Sequence, residues 1–121
     1  MEKSLLALDD AQRMLQVDEA EWLQFLGLFV TTSDRDLARL REAFSGRQLD
    51  DVRMLAHRLK GSCRTLGLDD AFRALELLER MDAATPDPAW SRAYADALAA
   101  MARCIAAARR RMGSACPESA D

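Results

Sequence analysis

The chain has 121 residues, a formal net charge of −3, and a composition that is half hydrophobic. This length is enough for one domain with a real core and too short for two domains of ordinary size. Alanine, leucine and arginine dominate, while β-branched and aromatic residues are few, which favours an all-α fold. Because the net charge is negative and no basic tail is present, we expect no nucleic-acid partner.

The cysteine content and the hydropathy pattern indicate the cellular setting. Cys63, Cys104 and Cys116 are an odd number without metal-ligand spacing, which predicts reduced thiols and a cytoplasmic location. The N-terminal segment has no sustained apolar stretch, and no run of about 18 apolar residues occurs. We therefore expect a soluble protein with neither a signal peptide nor a membrane span.

The spacing of apolar residues predicts the first two helices. A short helix within SLLALDDAQRMLQ would cover one end of a bundle with Leu8 and either Met14 or Leu15. A long helix follows from residue 18 to about residue 46, and the weak helix formers at residues 31–33 do not interrupt its phase. Its apolar stripe comprises Trp22, Phe25, Leu26, Phe29, Leu37, Leu40 and Phe44.

Start and stop signals delimit the next two helices. A helix over residues 49–66 has Asp50 and Asp51 in its first turn and Gly67 directly after its last apolar residue. Asp69 is expected to cap the following helix, which would extend to about residue 81 or 82. The inward-facing residues predicted for that helix are Phe72, Leu75 and Leu78.

After the break at AATPDP, a last long helix is predicted to begin at Pro88 and to stop at Gly113. Its apolar stripe comprises Trp90, Tyr94, Ala97, Leu98, Met101, Ile105 and Met112. Four amphipathic helices joined by short turns predict an antiparallel up-and-down four-helix bundle, with a short extra helix at the N-terminus. Residues 1–113 would form this domain, and residues 114–121 a disordered tail.

The single histidine of the chain, His57, lies on the predicted helix over residues 49–66. The buried stripe of that helix would comprise Val52, Leu55, Ala56, Leu59, Cys63 and Leu66. At about 100° per residue, His57 lies roughly 150° from the centre of this stripe and points to solvent. Its neighbours on the outward face are Arg53, Lys60, Gly61 and Arg64.

Gly61 and Lys60 indicate what this outward face does. A glycine inside a helix costs roughly 1 kcal/mol relative to alanine, and Gly61 faces away from the bundle. This predicts that an external molecule approaches the backbone closely beside His57. A neutral imidazole is a nucleophile toward phosphorus, and the resulting phosphoryl group needs a cation, which Lys60 can supply one turn away. Arg53 and Arg64 could add to the positive field.

The sequence AHRLKGSCRTLG, followed by ALELLER, closely resembles the histidine-containing phosphotransfer (HPt) domain family. The hallmark of that family is a His-x-x-Lys-Gly run on the second long helix of a four-helix bundle. The resemblance extends over about residues 15–112 and is closest over residues 49–79. It implies that His57 is the phosphoacceptor, that Lys60 stabilises the phosphoryl group, and that Gly61 gives clearance for the partner.

Ser62 also matches the family, which commonly has a small polar residue after the glycine. Two positions depart from it: Cys63 stands where alanine or serine is usual, and Arg58 stands where threonine is frequent. Because Cys63 lies on the predicted buried stripe, we interpret it as a packing residue rather than a redox residue.

The resemblance implies a monomeric phosphoryl carrier that is not an enzyme in its own right. It would transfer a phosphoryl group between aspartates of receiver domains, in a response regulator or a hybrid sensor histidine kinase. We assign no cofactor and no metal to this chain, since the receiver is expected to supply the divalent ion. The residues expected to contact the partner are Gly61, Arg53, Met54, Arg58 and Arg64.

Other functions are weighed against this one. An enzyme that uses His57 as a general base is disfavoured because the chain has no second histidine, no acidic partner on the same face and no water-excluding pocket on an open helix. A metal site is disfavoured because Cys63 projects from a different side of the helix and no carboxylate lies one turn from His57. A sensor-kinase dimerisation helix is disfavoured because Arg58 stands where that family usually has an acidic residue. A docking module that binds a receiver domain or a kinase without transferring phosphate stays open.

Overall fold

The computed structural model describes residues 3–115, and all the secondary structure in that range is helical. The all-α class predicted from the composition is therefore confirmed. The five helices are α1 (Lys3–Leu15), α2 (Glu19–Ser45), α3 (Leu49–Thr65), α4 (Asp69–Glu79) and α5 (Asp87–Ala115).

The helices α2, α3, α4 and α5 pack in a closed order: α2 against α3, α3 against α4, α4 against α5, and α5 against α2. These four helices therefore enclose one core. The helix α1 packs mainly against α5. This arrangement confirms a helical bundle with an extra N-terminal helix, whereas the strictly antiparallel order of the helices stays a prediction. The largest fully buried side chains of the core are Trp22, Leu8, Leu26, Leu40, Leu59, Leu66, Leu75, Leu78 and Met101.

The helix α2 is continuous, as its apolar phase predicts. Asp18 caps it by accepting a hydrogen bond from the N–H of Glu21 at 2.8 Å. Thr31 remains helical, and its hydroxyl donates to the carbonyl of Gly27 in the preceding turn, at 3.0 Å. The prediction that Phe25 faces the core is wrong: it is exposed, and its ring stacks against Trp22 at the edge of the apolar stripe.

The turn between α3 and α4 follows the predicted glycine signal but not the predicted cap. Gly67 has a φ of +68°, which suits glycine, and the N–H of Leu68 donates to the carbonyl of Cys63 at 2.9 Å. Leu68 occupies the N-cap position of α4 and is buried, so Asp69 is the first helical residue and not the cap. Packing of Leu68 into the core outweighs the capping preference of a polar side chain.

The helix α4 ends at Glu79, two or three residues before the predicted end. Asp82 belongs instead to a turn, where its carboxylate accepts a hydrogen bond from the N–H of Ala84 at 2.9 Å. The Asp82 carbonyl accepts another from the indole N–H of Trp90 at 2.9 Å. These contacts fix the chain between α4 and α5 in a non-helical conformation.

Both termini differ from the predictions in part. Leu8 is buried as predicted, but Met14 and Leu15 are exposed because α1 lies on the outside of the bundle and buries only one side. The helix α5 begins one residue before Pro88 and passes through Gly113 to residue 115. A glycine lowers helix propensity without ending a helix on its own. The rest of the predicted tail, residues 116–121 with Cys116, lies outside the described residues.

Two cysteines contribute to the core rather than to a reactive site. Cys63 and Cys104 are free and buried, which confirms the packing role predicted for Cys63. Burial raises the pKa of the Cys63 thiol to about 12 and that of the Cys104 thiol to about 11. No helix within the described range is long and apolar enough to cross a bilayer.

Candidate functional site

The helix α3 presents His57 to solvent, as its phase predicts. Every residue predicted for the buried stripe of this helix is buried. The His57 side chain is 68% exposed. The imidazole is therefore accessible to a second protein along most of its surface.

An acidic side chain from α4 binds this imidazole. The Nδ1 atom of His57 lies 2.7 Å from Oε2 of Glu79, and the Nζ atom of Lys60 lies 2.5 Å from Oε1 of the same carboxylate. The prediction that His57 has no acidic partner is wrong, because it considered only residues on α3. One carboxylate thus holds both the imidazole and the ammonium group.

The charge of Glu79 determines which nitrogen of His57 is free. The pKa of Glu79 is lowered, mainly by the hydrogen bond from Lys60 and also by the hydrogen bond from His57. Partial burial of the carboxylate raises the pKa but does not outweigh these two contacts. An ionised carboxylate can only accept hydrogen bonds. In the neutral imidazole we therefore assign the proton to Nδ1, and the lone pair of that tautomer is on Nε2.

Lys60 is less exposed than its position on the outward face predicts. Its side chain is only 18% exposed, and Nζ lies 5.6 Å from the centre of the Phe72 ring. At that distance the ring and the ammonium attract one another. Phe72, predicted to face inward, is half-buried and packs against the core. Lys60 is consequently held in place rather than free in solvent.

Gly61 lies on the exposed face one turn after His57. A Cβ atom added at this position would meet nothing within 4 Å. Packing inside the protein therefore does not require glycine here, as the sequence predicts. The backbone at Gly61 is open to an approaching molecule.

The predicted partner-contact residues divide into two regions. A hollow of about 320 Å³ beside His57 is lined by Asp50, Arg53, Met54, His57, Arg58 and Glu79. Met54 is half-exposed on its wall, and the Nε–H of Arg53 donates to the main-chain carbonyl of Glu79 at 3.1 Å. Arg64 lies outside this hollow and borders a separate cavity of about 590 Å³ between α1 and the α3–α4 turn.

Arg58 of α3 extends toward α2, away from the Lys60–Glu79 contact. Its Nη2 atom lies 3.3 Å from Oδ1 of Asp36, a residue of α2. The two sides of His57 therefore differ: Lys60 and Glu79 lie toward α4, and Arg58 lies toward α2. Among the described residues, no group of three or more histidine, cysteine or acidic side chains could bind a metal ion.

Sequence reasoning missed Glu79 and Asp36. The signal for Glu79 was available in ALELLER, since it follows the buried Leu75 by four residues and so lies near the inward face of α4. Asp36 gave no such signal, because an acidic residue in a long helix is ordinarily exposed.

A family model for the Hpt domain matches residues 24–110. The chain belongs to the Hpt domain family. The resemblance seen in the sequence is therefore confirmed, and the match includes His57, Lys60, Gly61 and Glu79. No curated protein and no solved structure shows significant similarity to the chain.

Membership of the family gives the general activity. Hpt domains are phosphotransfer modules of two-component signalling, and they act as phosphocarriers rather than as conventional enzymes. They interact with receiver domains and kinases in phosphorelays.

Proposed function

We propose that this Hpt domain carries a phosphoryl group on Nε2 of His57 between the aspartates of two receiver domains. The observation that supports this most directly is the pair of contacts from one Glu79 carboxylate to His57 and Lys60, at 2.7 and 2.5 Å. In the neutral imidazole this pair holds the proton on Nδ1, so the lone pair that a nucleophile requires is on Nε2, in a side chain that is mostly exposed.

The transfer needs no proton movement on this chain. The Nε2 lone pair attacks the phosphorus of a receiver's phosphoaspartate in line, and the bond from phosphorus to the aspartate oxygen breaks. The aspartate leaves as a carboxylate with the electron pair of that bond. Nδ1 keeps its proton, and the negative charge of Glu79 balances the positive charge that develops on the imidazole ring.

Lys60 and Gly61 contribute a charge and a free approach. Lys60 is already fixed next to the imidazole, so its ammonium group can bind a phosphoryl oxygen without a large loss of side-chain entropy. Gly61 lets the backbone of the receiver approach α3 closely. The receiver supplies the divalent ion and most of the stabilisation of the transition state.

The receiver would dock around the hollow beside His57, through Gly61, Arg53, Met54 and Arg58. Arg64 would contact the edge of the same partner, two helical turns from His57. The chain acts as a monomer in this proposal, because His57, Lys60 and Glu79 all come from one chain. The reduced, buried thiols suit a cytoplasmic location.

The test is incubation of the chain with receiver domains of the same genome, each labelled with ³²P on its aspartate. We expect an acid-labile, base-stable label on this chain. Because His57 is the single histidine, any phosphohistidine must be located there, and His57→Gln is the matched negative control. Addition of a second, unlabelled receiver should then remove the label.

The docking module is the alternative outcome. A receiver that binds the chain tightly in a titration but never labels it would favour docking without transfer. A label that persists in His57→Gln would contradict the assignment of the phosphoacceptor.

A further inference from the structure

Asp36 on α2 is a charged residue in an unusual place. It is only 2% exposed, and within the described part of the chain its Oδ1 atom accepts no hydrogen bond of good geometry. The guanidinium of Arg58, at 3.3 Å, is the cation that faces it. A carboxylate buried in this way is unfavourable unless a partner compensates its charge.

Stability does not explain this pair well. Apolar residues of similar size usually replace a buried ion pair without loss of stability, since the attraction only repays the desolvation of the two charges. The pair does have a geometric effect, because it attaches one end of the Arg58 guanidinium to the bundle. Arg58 remains about half exposed and also lines the hollow beside His57.

We propose that Asp36 is a positioning residue for receiver docking: from inside the bundle it orients the Arg58 guanidinium beside His57, where that guanidinium binds anionic groups of the receiver. This inference rests on the proposed function, in which the partner is a receiver domain with an acidic, phosphorylated aspartate. Arg58 is then the residue that contacts the partner, and Asp36 acts only through it.

The placement of Arg58 indicates the receiver, rather than the phosphoryl group on His57, as its ligand. Consecutive residues of a helix are about 100° apart, and Arg58 leaves α3 toward α2. Lys60 lies toward α4, within reach of the imidazole and its phosphoryl group. The two cations therefore flank His57, with Lys60 serving the phosphoryl group and Arg58 serving the protein that delivers it.

Three variants test the proposal: Asp36→Asn, Arg58→Gln and the double variant. Asp34→Asn is a matched control, since Asp34 is two residues away on α2 and pairs with Arg109 of α5 at 2.8 Å, away from the hollow. The probe is a receiver domain activated with beryllium fluoride, chosen as the one that transfers to, or binds, the wild-type chain most strongly. Its affinity is measured by titration at two salt concentrations.

We expect Arg58→Gln and Asp36→Asn each to weaken receiver binding about fivefold at low salt, as a lost charge contact at a partly exposed site does. The double variant should be no weaker than Arg58→Gln alone, because Asp36 acts through Arg58. In Asp36→Asn, phosphorylation of His57 by phosphoramidate, which needs no receiver, should stay at the wild-type rate. Asp34→Asn should bind like the wild type.

Three results would overturn the proposal. Receiver binding by Asp36→Asn that equals the wild type would show that Asp36 does not position Arg58. Effects of the two substitutions that multiply in the double variant would show that they act independently. A slower reaction of Asp36→Asn with phosphoramidate would assign it to the phosphoryl site or to the fold instead.

The same titration separates this proposal from the proposed function. If the receiver binds but never phosphorylates His57, transfer is refuted while the binding data still decide the role of Asp36. Urea unfolding of each variant provides the structural readout. Asp36→Asn should unfold at the same urea concentration as the wild type or a higher one, since it removes the buried charge and leaves the half-exposed Arg58 to solvent. Arg58→Gln should unfold at a lower one, since it leaves the Asp36 carboxylate buried without its cation.

Discussion

Replacing Glu79 by glutamine tests the arrangement on which the proposed transfer depends. The glutamine side chain has the same shape but no charge, and its single oxygen cannot accept strong hydrogen bonds from both His57 and Lys60. Its amide N–H₂ group can also donate to Nδ1, which would move the imidazole proton to Nε2. We therefore expect Glu79→Gln to reduce the fraction of His57 that has its lone pair on Nε2.

The size of this effect follows from the contacts. A hydrogen bond to a charged group is worth about 1.5–3 kcal/mol, and one between neutral groups about 0.5–1.5 kcal/mol. Glu79 is a quarter exposed, so the lower half of the first range applies, and the substitution loses about 1 kcal/mol. This corresponds to roughly a fivefold fall in the ratio of the two tautomers. The rate of phosphotransfer from a saturating receiver follows the fraction of His57 with its lone pair on Nε2, so it should fall by at most this factor.

The assay uses the single histidine of the chain. Nitrogen NMR of the ¹⁵N-labelled protein gives one imidazole, and the shifts of its two nitrogens report the tautomer directly. Glu76→Gln is the matched control: it is on the same helix, three residues earlier, and Glu76 pairs with Arg80 at 3.2 Å instead of with the His57 site. The control should show the wild-type imidazole spectrum and the wild-type transfer rate.

The reasoning would be refuted by an imidazole spectrum of Glu79→Gln identical to that of the wild type, together with an unchanged transfer rate. A slower transfer with an unchanged spectrum would show that the carboxylate acts on the transition state and not on the tautomer.

Three further predictions concern the same site. Lys60→Ala should slow phosphorylation and shorten the lifetime of the phosphohistidine about tenfold, as loss of a charged contact of about 1.4 kcal/mol would. Retention of ³²P on the chain measures this lifetime, and an unchanged lifetime would contradict the role of Lys60 in stabilising the phosphoryl group. Gly61→Leu should raise the free energy of unfolding, measured in urea, by about 0.5–1 kcal/mol, because a better helix former replaces glycine in open space. It should nevertheless slow transfer. Gly113→Leu, in similarly open space on α5, should leave transfer unchanged, and equal rates in both variants would contradict the clearance role. Since the pKa of Glu79 is lowered in the folded chain, its contribution to the free energy of unfolding is present above its ordinary value of 4.5 and is lost as the pH falls through the lowered value. Lowering the pH below 4.5 should therefore reduce the free energy of unfolding of the wild type more than that of Glu79→Gln, as measured in urea. Parallel pH profiles of the two proteins would contradict this.

The sequence by itself determined which segments are helical and, for α3, which side of the helix is buried. The apolar phase of α3 placed His57 outside and Cys63 inside because a helix repeats every 3.6 residues, whatever it packs against. The same phase identified Gly61 as an exposed glycine whose cost needs an explanation. The burial or exposure of each α3 side chain depends on its spacing from the other residues of the same helix, and this spacing can be counted in the sequence.

Only the tertiary structure decided what contacts the outward face. Glu79 reaches His57 and Lys60 from α4, and Asp36 reaches Arg58 from α2, and both contacts depend on how the helices are rotated and shifted against each other. The spacing of residues along one helix contains no information about that rotation. The same holds for Leu68, which occupies the cap position of α4 because the core has room for its side chain there. Contacts between helices are set by the packing of the whole bundle, and so the acidic partners of His57 and Arg58 became visible only in three dimensions.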